Sequence, residues 1–175
     1  MTTIGKRWER FQKAKVPFGQ DYGKEKEEKM KEKKDNLKLE NQLCFPLYAC
    51  AKEIVRRYNP LLEKLDLTYT QYIVMMVMWE QKQINVKMLG EKLFLDSGTL
   101  TPLLKKLENK GYISRHRQKE DERNVIISIE EKGIELKKKA KNIPEEIGKC
   151  VNLTQEEAVG LYKTLYKILD TFKEQ

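Results

Sequence analysis

In 175 residues the chain carries 35 lysines and arginines against 27 aspartates and glutamates, a formal net charge of +8 that suits a polyanionic partner. No apolar run reaches the roughly 20 residues of a membrane-spanning helix, and the first residues lack the apolar centre and cleavage site of a secretory signal. Three cysteines and one histidine, with no CxxC or HxxxH pattern, argue for a reducing cytoplasm and give no basis for a disulfide framework, a metal site or a cofactor.

Residues 1–36 stand apart as a charged arm. The run KEKEEKMKEKKD (24–35) is almost wholly ionic, and the expectation is a flexible segment without a core of its own. From 37 to 66 the pattern sharpens. Leu39, Leu43, Leu47, Tyr48, Ala51, Ile54, Val55 and Tyr58 make a helical stripe that ends before Asn59-Pro60, and a short helix follows at Leu61 to Leu65. Pro46 conflicts with an uninterrupted helix: either the helix begins near Leu43, with Pro46 in its first turn, or it is kinked. Tyr69 to Gln83 is the most hydrophobic stretch and reads as a central buried helix.

Residues 84–129 organise the rest. Val86, Leu89 and Leu93 stripe one short helix. Leu100, Leu103, Leu104 and Leu107 stripe a second at i, i+3, i+4, i+7. Asp96 and Ser97 stand where an N-cap is wanted, and Gly111 stands as a C-terminal stop. Beyond it, 112–115 and 125–129 are strand-like, with a charged loop between them. Helix, turn, helix and hairpin together are the plan of a winged helix-turn-helix DNA-binding unit. After the wing, helices are expected from Glu131 to about Lys141, from Pro144 to about Cys150, and from a capping box at Thr154 to Glu157 onward. The last helix carries Ala158, Leu161, Tyr162, Leu165, Ile168, Leu169 and Phe172 on one stripe. The predicted fold is therefore mainly α with a small β-wing. Residues 37–175 form one winged helix-turn-helix domain, in which 37–66 and 131–175 serve as N- and C-terminal dimerisation helices. Two copies would place two recognition helices on a pseudo-palindromic double-stranded site.

In that arrangement Ser97, Thr99 and Thr101 meet phosphates or base edges in the major groove. Lys105 and Lys106 meet phosphate or guanine. Arg115 and Arg117 extend the basic surface along the hairpin. Arg123 at its tip enters the minor groove, oriented by Asp121. His116 reads as a solvent-facing strand residue. Between Ser97 and Lys119 six basic residues (Lys105, Lys106, Lys110, Arg115, Arg117, Lys119) oppose one acid, Glu108.

DSGTLTPLLKKLENKGYI (96–113) followed by DERNVIISI (121–129) resembles the MarR family of winged-helix regulators. LENQLCFPLYA (39–49) and LTYTQYIVMMVMWE (67–80) resemble its organic-hydroperoxide-sensing OhrR branch. The resemblance covers residues 37 to about 173, and thiol-based virulence regulators of the same family are close to it. It implies a homodimeric repressor whose Cys44 reacts with an organic hydroperoxide, whereupon the operator is released. Tyr58 and Tyr69 of the partner subunit would donate hydrogen bonds to the thiolate and favour the charged sulfur. Pro46 departs from the family pattern beside that cysteine. Cys50, about 240° further round the helix, reads as packing. Cys150 lies in the region where some members carry a resolving cysteine; without it, a small thiol would cap Cys44. A MarR-type regulator answering a phenolic or lipophilic ligand, or a thiol-based virulence regulator, is the alternative. A peroxide-consuming enzyme finds no peroxidase motif, and a nonspecific DNA-coating protein would show no palindrome preference.

Overall fold

A computed structural model of the chain describes residues 37–117 and 124–172. Two units are distinct, Met1–Leu43 and Cys44–Gln175. The described residues of the first form a single 3-10 turn, Leu39–Asn41, closed by the Asn41 N–H to the Lys38 carbonyl at 2.9 Å. The expectation of flexibility for residues 1–36 lies outside the described residues.

The second unit begins with helix α1, Cys44–Glu63. Of the two expected arrangements, the helix that begins near Leu43 with Pro46 in its first turn is the one observed. As the third residue of α1, Pro46 sits among the first-turn amides, which have no intrahelical partner to lose. A start at Leu39 would have set its ring against the carbonyl of Gln42. At the other end, α1 does not stop before Asn59-Pro60, and no separate helix forms at Leu61–Leu65, because Pro60 lies inside α1. Its missing amide frees the carbonyl of Arg56. Both residues are exposed, so water can meet that carbonyl. Leu62, wholly buried two residues further on, holds the last turn in the core.

Helix α2, Tyr69–Gln81, is the buried centre: Tyr72, Val74, Met75, Val77 and Met78 are all inside. Thr68 and Gln71 close its start with a reciprocal capping box. The residues after it, Gln83–Asn85, form strand β1, which the periodicity did not reveal. Three residues are too few to show an alternation. They pair because β1 completes a sheet of order β1-β3-β2, with β2 at Ile113–Arg117 and β3 at Val125–Ile129. Both pairings are antiparallel, setting Ile84 opposite Ile127 and Arg115 opposite Ile127 from the other side. The central strand β3 is thus paired on both sides, with β1 and β2 as the edges.

Between β1 and β2 lie α3, Val86–Leu93, and α4, Ser97–Asn109. Asp96, not Ser97, caps α4: its carboxylate accepts the Thr99 N–H at 2.8 Å. The stripe Leu100, Leu103, Leu104, Leu107 faces the core as expected. At its end Gly111 takes φ +73°, its N–H bonds the Glu108 carbonyl (2.8 Å), and the Tyr112 N–H bonds the Leu107 carbonyl (3.1 Å). That is a Schellman turn, which needs a residue free of Cβ strain in the left-handed region.

Helices α5, Glu131–Ala140, α6, Ile143–Gly148, and α7, Gln155–Thr171, complete the chain. Gly133 in the first turn of α5 lets the backbones touch, since a Cβ there would lie 2.2 Å from the Tyr112 carbonyl oxygen. The Gly133 carbonyl in turn accepts the Trp79 indole N–H at 2.8 Å, tying α5 to α2. Helix α7 buries none of its residues. Leu161, Tyr162, Leu165, Tyr166 and Phe172 are exposed, as are Phe45, Leu47, Tyr48 and Ile54 on α1. No helix among the described residues is long and apolar enough to cross a membrane.

The caps tie folding to pH. The backbone N–H and then the hydroxyl of Thr99 hold the Asp96 carboxyl below the usual carboxylate range, and those of Thr154 do the same for Glu157. A carboxyl with a depressed folded value stabilises fully above its unfolded value, and that contribution is lost as pH falls through the folded value. Melting temperature is therefore expected to be level near neutrality and to fall below about pH 4. A midpoint unchanged down to pH 3 would show that the caps contribute nothing.

Candidate functional site

At 100° per residue the buried leucines of α4 occupy one side, and Gly98, Thr101, Pro102, Lys105 and Lys106 fall on the other. Thr101, Pro102, Lys105 and Lys106 are exposed. The sequence reading passed over Pro102, yet it stands near the centre of the outward face. With no side-chain amine or hydroxyl there, a duplex can approach the helix backbone closely. Lys105 and Lys106 have no ion pair among the described residues, so both ammonium groups are available to phosphate.

The two threonine hydroxyls are already engaged. Thr99 Oγ1 donates to Asp96 Oδ2 at 2.8 Å, and Thr101 Oγ1 donates to the Ser97 carbonyl at 2.8 Å. A hydroxyl whose hydrogen is used still accepts. As placed, these groups suit base amino donors better than phosphate oxygens, which only accept. Ser97 lines an open groove of about 580 Å³ between α3, α4 and the wing root, with Asn85, Lys87 and Val125 on its other walls.

Two basic residues of the expected DNA face are held in ion pairs within the chain. Arg115 donates from Nε (2.8 Å) and Nη2 (2.5 Å) to Glu108 Oε2, with both side chains about two-thirds covered. Lys110 Nζ lies 3.0 Å from Asp66 Oδ2. Arg117 is exposed at the end of β2. His116 faces solvent and exchanges a hydrogen bond with Ser114 Oγ at 3.0 Å. Asp121 and Arg123 at the wing tip lie outside the described residues.

A second cluster sits where α1 meets α2. The Tyr58 and Tyr69 rings are 4.9 Å apart at their centroids, and Tyr58 lies 5.8 Å from Tyr72. Tyr72 continues to Trp79 at 6.0 Å. The sequence reading named the first two and missed Tyr72, which lies 3 % exposed beneath them. Burial, and then the neighbouring phenols, push the Tyr58 hydroxyl above its ordinary value; burial and then Tyr69 do the same for Tyr72. Both therefore stay protonated at neutral pH and able to donate.

Cys44 is not in this cluster. It opens α1 and is exposed. Tyr58 lies fourteen residues further along the same helix, roughly 21 Å at 1.5 Å per residue. The Cys44 sulfur therefore cannot meet the Tyr58 of its own chain. Cys50, expected to serve packing only, is exposed as well among the described residues. Cys150 follows α6, its thiol directed at the Glu146 carbonyl (3.5 Å). It lines a cleft of about 250 Å³ with Glu53, Ile54, Arg57, Ile147 and Val151. Ile54 and Arg57 lie roughly 15–20 Å along α1 from Cys44, far beyond the 4–7 Å or so between Cα atoms that a disulfide spans. Cys44 and Cys150 of one chain cannot be joined in this fold.

The chain is similar to proteins of known role over most of its length. The family described as "Transcriptional regulator SarA/Rot" matches residues 56–140. The organic hydroperoxide resistance transcriptional regulator of Bacillus subtilis is 47 % identical over 146 residues, covering 83 % of this chain and 99 % of the relative. The HTH-type transcriptional regulator SarZ of Staphylococcus haemolyticus is 47 % identical over 131 residues, 75 % of this chain and 89 % of the relative. Among solved structures, reduced AbfR bound to DNA superposes with a TM-score of 0.63 at 32 % identity, covering 78 % of this chain and 96 % of that one. A cysteine-to-serine variant of MarR from E. coli complexed with operator DNA gives 0.64 at 26 % identity, over 73 % and 93 %.

Proposed function

The chain belongs to the MarR family of winged-helix regulators, with the organic-hydroperoxide-responsive OhrR type among its relatives, and we propose that it is a dimeric, DNA-binding repressor switched by oxidation of Cys44. One observation carries the reading: Tyr58 and Tyr69 pack ring against ring at the meeting of α1 and α2, a pair of phenols that their own Cys44 cannot reach. A second copy, seated on the uncovered faces of α1 and α7, supplies the missing sulfur. Cys44 thiolate then accepts hydrogen bonds from Tyr58 and Tyr69 of the partner subunit, which favours the anion that attacks peroxide.

The thiolate sulfur attacks the outer oxygen of the hydroperoxide. The O–O bond breaks, the alkoxide leaves and takes a proton to become the alcohol, and the sulfur is oxidised to the sulfenic acid. The Cys150 thiol of the other subunit then attacks that sulfur, expelling water and forming an intersubunit disulfide. One peroxide is consumed per cysteine, so the protein acts as a switch and not as a turnover catalyst. Loss of the thiolate–phenol contacts, and the new covalent tie, favour an arrangement in which the two α4 helices no longer match the operator spacing. Apolar side chains beside Cys44, Phe45 and Leu47, suit an alkyl peroxide better than hydrogen peroxide. The setting is the cytoplasm, where DNA and reducing thiols coexist.

The test is a titration of bound duplex with cumene hydroperoxide and with hydrogen peroxide. Release at roughly stoichiometric organic peroxide, with hydrogen peroxide far less effective, supports the reading; indifference to both rejects it. On a non-reducing gel the oxidised protein is expected to run as a covalent dimer that disappears in Cys150→Ser. A dimer band persisting in that variant would remove Cys150 from the resolving role and leave a small thiol to cap Cys44.

A further inference from the structure

We propose that Arg115 acts on operator recognition through Glu108, as a positioning residue that fixes the wing against the recognition helix, and does not itself contact DNA. The inference rests on the DNA-binding reading above and concerns how that surface is held. Glu108 is the one acid between Ser97 and Lys119. A carboxylate on a face built for phosphate repels the ligand unless it does something else there. Its position shows what that is. Glu108 lies in the last turn of α4, and Arg115 is the third residue of β2, the first wing strand. Two guanidinium donors, Nε at 2.8 Å and Nη2 at 2.5 Å, converge on Oε2 alone.

The link between them is short and stiff. It passes through the Schellman turn at Gly111 and then into β2, where Arg115 stands directly opposite Ile127, a wholly buried residue of β3. The ion pair therefore closes a small ring of backbone: helix end, turn, strand, side chains. The hairpin that leads to the wing tip leaves from this ring two residues later, after Arg117. A small rotation at the root becomes a displacement of the tip, because the strands act as a lever. The pair is two-thirds covered, and two aligned charge-assisted bonds to one oxygen define an angle as well as a distance. Lysine cannot reproduce that fork.

Electrostatics and positioning make opposite predictions for Glu108→Gln, which gains one unit of positive charge. The probe is a duplex selected by the wild-type protein from a randomised pool, compared with a scrambled duplex of equal length, both by fluorescence anisotropy at fixed salt. The expected result is that Glu108→Gln binds the scrambled duplex at least as well as wild type, while its affinity for the selected duplex falls about tenfold. Arg115→Lys keeps the charge that a phosphate contact needs but loses the fork, and it is expected to show the same loss. The doubly substituted protein is expected to be no weaker than either single variant. Tighter binding of the selected duplex by Glu108→Gln, near-wild-type binding by Arg115→Lys, or losses that add in the double variant each overturn the proposal. A wild-type protein with no preference for any selected duplex would instead overturn the DNA-recognition reading on which it rests.

Discussion

Replacing Cys44 by serine is expected to leave the protein bound to its selected duplex at hydroperoxide concentrations that empty the wild type, with the half-release concentration raised at least a hundredfold. Cys44 is exposed at the first residue of α1, so one oxygen in place of sulfur removes no packing within the chain. Affinity before oxidation should therefore stay within about twofold, since surface changes away from buried or strained features usually shift stability little. What serine lacks is an accessible anion: a hydroxyl stays protonated at neutral pH and does not attack the peroxide oxygen. Tyr58→Phe should fall between the two, because it removes one donor to the thiolate and keeps the ring that packs at a tilt against Tyr69 and Tyr72. The measurement is anisotropy of labelled duplex against cumene hydroperoxide, with mass spectrometry following sulfenic acid at Cys44. If the serine variant lets go as readily as wild type, Cys44 is not the sensor, and a ligand bound between the subunits becomes the better account.

How much of this was legible in the sequence depends on the range of each interaction. The recognition helix and its stop could be read directly, because the four leucines from Leu100 to Leu107, the Asp96 cap and Gly111 are local signals that the fold uses without alteration. Strand β1 could not, since its three residues become a strand only when β3 arrives to pair with them. Pro60 misled for the opposite reason. It is a strong local stop signal, overridden because Leu62, Leu65 and Leu67 beyond it are held in the core. Tyr72 was hidden in an almost wholly apolar run where no period separates a site-lining ring from a core residue. Only the meeting of α1 and α2 sets it against Tyr58. Arg115 reads from the sequence as one more basic group on a DNA face. Its partner is seven residues away across a turn, and the turn's geometry joins them.

The second large effect concerns α7. Replacing both Leu161 and Leu165 by glutamate is expected to convert the dimer to a monomer and to cost at least a hundredfold in affinity for the selected duplex. In a single chain both leucines are exposed, and α7 buries none of its residues, so the substitutions disturb no core of their own chain. A helix that keeps Leu161, Tyr162, Leu165, Tyr166 and Phe172 in water would be poorly stable alone, and a patch of this kind marks a surface that another protein covers. Burying one leucine contributes about 1.5–3 kcal/mol. A twofold interface repeats each contact, so two substitutions remove four leucines and place four carboxylates in their stead. DNA binding then falls without any change in the recognition surface. One α4 helix reads half a site, whereas two linked ones bind the second half as an intramolecular event worth about 10²–10⁴ in affinity. Sedimentation and anisotropy on the same samples decide it. A monomer that still binds the full site as tightly as wild type would show that pairing of recognition helices is not the source of affinity. A variant that stays dimeric would place the interface elsewhere than α7. The expected pairing of the two losses, with the circular dichroism of the winged-helix unit retained, is what would make the spacing between two copies of α4 the quantity that oxidation alters.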